Sequence, residues 1–589
     1  MSDPARPAGE GAHLNGVWAR ALVDELVRGG VREAVVCPGS RSSPLALACA
    51  GTPRLRTRSI LDERSAAFFA LGAAKATQRP ALVIATSGTA GAHFYPAILE
   101  AEASFVPLIA LTADRPPELH GWGAPQTLDQ QHLFGGHVRF FADLGVPESL
   151  ALPHLRATAA RAAERARLGP VHLNAPFREP LAPGPGPLPE DPGPPALRHV
   201  RGLPAPDVSE AARELSRRPR GVIVCGPRDA QDGLPLAVGA LAARLGYAVL
   251  AEAASQVRYA LPGCVAHYDS ILRDERWARA LRPDAVVRIG GGLTSKVLQE
   301  WLAGAFTVVL GERDPVIDPG HDASLALLGD PAALCHALAS AAPGPGPDRS
   351  GPGGKEPPGS AQAPSRSSAA GTWPGLWADA EARAAAAVER ALTGLSEPLI
   401  ARETFAALRE DALVFVSSSM PIRDADAWAG RAAAGVRILS NRGLNGIDGV
   451  VSSALGAAAA TGRPTTLLIG DLALLHDLHG LLAARRLGIP LTVVCVDNDG
   501  GGIFSFLPIA QQAEHFEPLF ATPQGVDLAQ VAALCGARLS RPSSPGELRA
   551  ALRESRGLEL IAVRTDRARN VEDHRALHAA VAAALGEPP

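Results

Sequence analysis

TTLLIGDLALLHDLHGLLAARRLGIPLTVVCVDNDGGG, residues 465–502, holds two apolar runs separated by a helical pattern. TTLLIG and LTVVCV are short, rich in Leu, Val and Ile, and bounded by Gly, Pro, Asp or Asn, as fully buried strands are. Between them, HDLHGLLAARRLG carries Leu and Ala at helical spacing and basic residues near its end. Strand, helix and strand over this length form a crossover unit, which joins parallel strands. Asp471 follows the first run and Asn498 the second, so both stand at one edge of one sheet, where open α/β sheets take ligands. A carboxylate, an amide carbonyl and a main-chain carbonyl at Gly500 are hard oxygen donors suited to Mg²⁺. The glycines let main chain come close to an anion. An ordinary crossover ending in an Asp and an Asx-Gly turn has the same spacing, so this stretch by itself leaves both readings open.

The same alternation runs through the chain. VREAVVCPGS, RPALVIATSG and FVPLIALTAD precede it, then GVIVCGP, AVVRIGGG and FTVVLGE, and LVFVSSS opens the last part. The fold class is therefore α/β, with parallel sheets flanked by helices. Two Pro/Gly/Ser-rich stretches, 179–199 and 342–371, cannot bury enough apolar surface to form a core. They divide the 589 residues into three domains, 1–185, 186–341 and 373–589, with 342–372 as a flexible linker. The first and third read as large copies of one architecture.

A net charge of −3 gives no electrostatic footprint for nucleic acid or an anionic membrane. No run of about 18 apolar residues suggests a membrane span. MSDPARPAGEGAHLN has neither a basic start nor an apolar core, so no secretory signal and a cytoplasmic location are expected. The seven scattered cysteines include no CxxC pair and read as buried thiols. Lysine occurs only at Lys75, Lys296 and Lys355, so nearly all positive charge is arginine.

Gly470-Asp471-Leu472 followed by Asn498 resembles the diphosphate and magnesium motif of thiamin diphosphate enzymes. Leu472 stands where that motif usually has Gly, and DNDGGG replaces its Asn-rich loop. Such an enzyme also has a catalytic glutamate in another domain, which bonds the pyrimidine ring. Glu63, after an apolar run and before an Ala-rich helical pattern in RSILDERSAAFFALGAAKA, matches it, although acids are also favoured at any helix start. CPGSRSSPLALA, LTADRPPEL, SMPIRD, SNRGLNGIDG and DNDGGGIFSFLP, in this order, are similar to one branch of the family. GGGLTSK is the main match in the middle domain.

The resemblance implies a thiamin diphosphate-binding fold with pyrimidine-binding, central and diphosphate-binding domains. It also implies Mg²⁺, with Mn²⁺ as an alternative, held by Asp471, Asn498 and Gly500. Ser419, Ile447, Gly470, Asp471, Leu472, Asn498, Ile503 and Phe504 would bind the cofactor, with Ile447 bending it and Ile503, Phe504 and Leu507 excluding water. The branch decarboxylates 2-oxoglutarate and adds the succinyl carbanion equivalent to isochorismate by conjugate addition, in menaquinone biosynthesis. Its substrates carry several carboxylates, which suits Arg41, Arg115, Arg423 and Arg442, each just past an apolar run. Ser40, Gln126 and Leu507 complete the substrate set, and Lys296 stands between carboxylate binding and a helix surface. Pro125 and Ser418 depart from the branch's usual Asn at both positions. In this superfamily the active site lies between subunits, so a homodimer or homotetramer is implied.

Three alternatives remain at this point. One is a related thiamin-dependent lyase or ligase acting on pyruvate, such as an acetohydroxyacid synthase-like enzyme that binds flavin. Another is a Mg²⁺-dependent nucleotide-binding or phosphotransfer protein, although GGGLTSK lacks the GxxxxGK[ST] spacing. The third is a thiamin-fold subunit without catalysis, which the presence of Glu63 opposes.

Overall fold

Three parallel sheets follow one another along the chain, each flanked by helices, in a computed structural model that describes residues 8–181, 193, 194, 196, 206–312, 317–343 and 371–589. The first contains β1 (Glu33–Val36), β2 (Arg56–Ser59), β3 (Ala81–Ala85), β4 (Leu108–Asp114), β5 (Phe141–Asp143) and β6 (Val171–Pro176). The second contains β7 (Gly221–Cys225), β8 (Ala248–Ala251), β9 (Ala285–Ile289), β10 (Phe306–Gly311) and β11 (Ala323–Leu328). The third contains β12 (Leu413–Val416), β13 (Arg437–Leu439), β14 (Thr465–Gly470), β15 (Leu491–Asp497), β16 (Arg538–Ser540) and β17 (Leu558–Arg564). The spatial orders are β2-β1-β3-β4-β6-β5, β11-β10-β9-β7-β8 and β13-β12-β14-β15-β17-β16. Counted from its own first strand, the third sheet repeats the order of the first. The Pro/Gly/Ser-rich stretches at 179–199 and 342–371 fall mostly outside the described residues.

β3 and β4 are buried at every position because helices cover both faces of the sheet, and this makes their sequences continuous apolar runs. β2 reads Arg-Thr-Arg-Ser on an edge and carries no such run, so its sequence gives no strand signal. All seven cysteines are free thiols, six of them buried.

The crossover from β14 to β15 is present, with one difference. Its helical part is two helices, Asp471–His476 and Leu478–Leu487, broken at Asp477. Asp477 is fully buried and accepts hydrogen bonds from Ser452 N at 2.7 Å, Ser452 Oγ at 2.9 Å and Ser65 Oγ at 3.1 Å. Those partners lie on the Val450–Thr461 and Glu63–Thr77 helices, so long-range bonding sets the break.

The same two helices join the first and third sheets. A Cβ on Gly72 would lie 1.9 Å from Ser453 O, and one on Gly456 would lie 1.9 Å from Phe69 O. The main chains therefore touch, which only glycine permits here. Around this crossing, Leu455, Ala483 and Ala484 of the third unit share a core with Phe68, Phe69 and Ile98 of the first. The Trp373–Ala391 and Arg567–Leu585 helices lie beyond residue 371 in sequence. Their buried Trp377, Leu577 and Val581 nevertheless share a core with Val222, Leu250 and Trp301 of the central unit.

Candidate active site

Asp471 opens a helix directly after β14 and is buried. Its Oδ2 accepts a hydrogen bond from Gly500 N at 2.8 Å. Burial pushes its carboxyl up to about 6, opposed by the main-chain bonds from Leu472 and Gly500. Gly500 adopts φ +146°, and a Cβ there would lie 2.5 Å from Ala521 O. Gly500 O accepts from Gly502 N at 2.9 Å.

Asn498 is buried just past β15. Its Nδ2 donates to Glu397 Oε1 at 2.9 Å, while its Oδ1 is buried with no hydrogen-bond partner. A buried amide oxygen left unpaired is costly, and a cation would satisfy it. The donors here are one carboxylate, one amide oxygen and one main-chain carbonyl. That set fits a divalent hard cation holding a diphosphate. Among the described residues no group of three His, Cys, Asp or Glu forms a metal cluster, so such a site depends on amide and main-chain oxygen.

Ser419 follows β12, which pairs with β14, and adopts φ +73°, ψ −131°, a strained conformation for a residue with a side chain. It precedes the Met420–Trp428 helix, and its carbonyl accepts from Arg423 at 2.5 Å. Ile447 is half-buried against the third sheet's core, and Gly470 and Leu472 flank Asp471, also half-buried. Ile503 and Phe504 are half-buried, with the Phe504 ring edge-on to Phe520 at 5.9 Å. Leu507 is 46% exposed.

Glu63 is the first residue of its helix, with Asp62 as cap accepting from Ser65 N at 2.8 Å. Its carboxyl is half-buried and lies near the Cys37 thiol at the end of β1, whose pKa is raised first by burial and then by Glu63. Among the described residues the Glu63 carboxyl has no hydrogen-bond or ion-pair partner. No such bond joins it to Asp471 or Asn498.

The four arginines form two like-charged pairs. Arg41 is buried, and its pKa is lowered first by burial and then by the Arg115 cation. It donates to Phe177 O at 2.8 Å and to Glu179 at 3.0 Å, while its Nε is buried without a partner. Arg115 donates to Pro125 O at 3.3 Å. In the third unit, loss of water and then the Arg442 cation lower the Arg423 pKa. Arg442 is half-buried, again with an unpartnered Nε. Arg442 also faces the Glu252, Asp426 and Glu100 carboxylates, which act against the larger effect of burial. The buried, unpaired Nε groups of Arg41 and Arg442 are donors that an anion could accept from.

Ser40 is exposed, its carbonyl accepting from Ser43 N. Gln126 is exposed at φ +53°, its main chain against Gly88. Lys296 is the first residue of the Lys296–Leu302 helix, exposed and 3.4 Å from Glu300 one turn on. Thr294, two residues before it, is bonded to Arg442.

Family comparisons fit this geometry. Residues 17–133 match the N-terminal TPP binding domain of thiamine pyrophosphate enzymes. Residues 205–342 match the family described as middle domain of thiamine pyrophosphate, and 427–563 match the C-terminal TPP binding domain. A 2-succinyl-5-enolpyruvyl-6-hydroxy-3-cyclohexene-1-carboxylate synthase of Myxococcus xanthus (strain DK1622) is 54% identical over 98% of this chain and 99% of its own. Proteins of the same name from Geobacillus kaustophilus (strain HTA426) and Chloroflexus aurantiacus (strain ATCC 29366 / DSM 635 / J-10-fl) are 43% and 42% identical. They align with 95% and 98% of this chain and with 97% and 98% of their own lengths. The chain belongs to this synthase family. It is a thiamin diphosphate-dependent enzyme of the transferase and carboligase kind.

This member of the synthase family carries groups around the site that sequence reasoning missed. Glu397 bonds Asn498, and in sequence it is only an acid in the first turn of a helix. Gln130 is fully buried, accepting from Gly88 N at 3.0 Å and donating to Ala113 O at 3.1 Å. It follows Gln126 by four residues, and nothing in the sequence separates the two roles. Thr294 accepts from Arg442 at 3.2 Å and donates to Glu252 at 2.8 Å. Burial, and next Asp426, push Glu252 up to about 8. Among the described residues no helix is long and apolar enough to cross a membrane.

Proposed function

We propose that this enzyme decarboxylates 2-oxoglutarate and joins the resulting succinyl carbanion equivalent to isochorismate by conjugate addition, with Mg²⁺ or Mn²⁺, in cytoplasmic menaquinone biosynthesis. The observation that carries the reading is the buried, unpartnered Asn498 Oδ1 beside Asp471 and Gly500. Asp471, Asn498 and Gly500 hold the cation, and Gly470, Leu472, Ser419, Ile447, Ile503 and Phe504 hold the cofactor. Bound there, thiamin diphosphate supplies an electron sink for the decarboxylation. Glu63 would bond the cofactor's pyrimidine ring through its carboxyl.

Arg41 with Arg115, and Arg423 with Arg442, orient the substrates' carboxylates, and the buried, unpartnered Nε groups of Arg41 and Arg442 support this role. Ser40, Gln126 and Lys296 are assigned to the substrate side, with Leu507 in an apolar wall that keeps water out. The pyrimidine-binding domain is 1–185, the central domain 186–341, the linker 342–372 and the diphosphate-binding domain 373–589.

The assembly is a homodimer or homotetramer with sites between subunits. Leu61 at 78%, Trp122 at 83% and Leu444 at 56% exposure lie two to four residues along the chain from Glu63, Gln126 and Arg442, and such apolar side chains suit cover by a second copy.

Mass spectrometry of products from thiamin diphosphate, Mg²⁺, 2-oxoglutarate and isochorismate tests the reaction. The expected mass is that of isochorismate plus 2-oxoglutarate less carbon dioxide. Turnover of pyruvate alone, with none of that product, would refute it.

A further inference from the structure

An amide has two ends of nearly equal shape, and only its oxygen can bind a cation. An asparagine that serves as a metal ligand therefore needs a neighbour that tells the ends apart. We propose that Glu397 is a positioning residue that turns the Asn498 amide oxygen toward the metal. The inference rests on the reading of Asn498 as a ligand.

Glu397 is 2% exposed, at the start of the Glu397–Ala406 helix, which Ser396 caps by accepting from Leu399 N. One oxygen, Oε1, accepts from both Asn498 Nδ2 at 2.9 Å and Thr565 Oγ1 at 3.1 Å. Asn498 and Thr565 follow the neighbouring strands β15 and β17, and Thr565 N donates to Asp497 O at 2.9 Å. The helix thus places one acceptor over the carboxyl ends of two adjacent strands.

Because that oxygen accepts, the amide nitrogen must face it and Oδ1 must face away, where it is buried and unpaired. A flipped amide would set oxygen against oxygen and leave the NH₂ group at the cation. Gly502 closes round the same nitrogen, since a Cβ there would lie 2.6 Å from Asn498 Nδ2. An acid that only started a helix would gain as much in water, and burying it is costly unless it is bonded. Glu397 spends its buried position on an amide whose other end meets nothing.

Outer-shell groups that orient a ligand typically change metal affinity 10–100-fold when removed. The test is Mn²⁺ titration by electron paramagnetic resonance on the full chain at saturating thiamin diphosphate, with thermal melts of the metal-free proteins. Glu397→Ala should weaken Mn²⁺ binding about tenfold or more. Glu397→Gln keeps an accepting oxygen and should stay within about threefold of wild type. The metal-free melts of the two variants should agree closely. If the Ala variant does not fold, Glu397→Met fills the space without accepting and takes its place. Unchanged Mn²⁺ affinity in the Ala or Met variant overturns the proposal, as does equal loss in the Gln variant. Asp471→Ala serves as the reference: if it binds Mn²⁺ as wild type does, the metal-site reading itself has failed.

Discussion

Gly456→Ala sets two known effects against each other. Alanine in a helix interior is favoured over glycine by up to about 1 kcal/mol, so propensity alone makes the variant more stable. The crossing opposes it, because the new Cβ would lie 1.9 Å from Phe69 O. Ordinary contact needs about 1.5 Å more, so the helices must separate or bend by that much. All of Ser65–Ala76 and Val450–Ala458 is buried, and a gap along the crossing loses contacts on both sides. Overpacking of this kind costs about 1–3 kcal/mol, which outweighs the propensity gain at the upper end. A net loss near 2 kcal/mol lowers the apparent melting temperature by roughly 4–8 °C for units of this size. Calorimetric or circular dichroism melts of the purified full chain read this directly. Gly72→Ala meets Ser453 O at the same distance and should behave alike. The double variant should cost less than the two single costs combined, since one separation relieves both clashes. A Gly456→Ala protein that melts at or above wild type refutes the close crossing.

Arg442→Ala removes a charged donor from the proposed carboxylate site and should lower kcat/KM about tenfold to a hundredfold, as lost charge-assisted bonds of roughly 1.5–3 kcal/mol imply; an unchanged kcat/KM would remove Arg442 from the substrate set. Mixing Glu63→Gln with Asp471→Ala, each inactive alone, should restore about a quarter of wild-type activity if random dimers build sites from both subunits, and none if each site lies within one chain. Glu252 is held up to about 8, above its ordinary value, so the stability it contributes is complete at low pH and is lost as pH rises through 8. Urea midpoints of Glu252→Gln should therefore gain on wild type between pH 5 and 8 and then level off, whereas a constant gap would contradict the raised pKa. Trp377→Ala empties a fully buried site against Trp301 and Trp373 and should cost about 3–5 kcal/mol in denaturant unfolding.

Much of this was legible locally. β3, β4, β14 and β15 announce themselves because strands covered on both faces must be apolar throughout. Asp471 and Asn498 could be set on one sheet edge because a crossover keeps its strands parallel. Short edge strands such as β2 and β16 escaped notice, since half-exposed residues carry no burial signal. The Trp373–Ala391 helix reads as part of the last domain, yet Trp377 packs with Trp301 of the central unit.

The three-sheet α/β plan, the kinship of the outer units and the residue types at the strand ends can be read along the chain, because strand period, turn chemistry and motif spacing are local. How those groups are aimed depends on long-range packing. Glu397 stands 101 positions from Asn498, Thr294 stands 148 from Arg442, and Gly72 meets a helix nearly four hundred residues away. A hydrogen bond or a main-chain contact between such partners depends on how whole sheets and helices pack, and no pattern within a short stretch of chain encodes it.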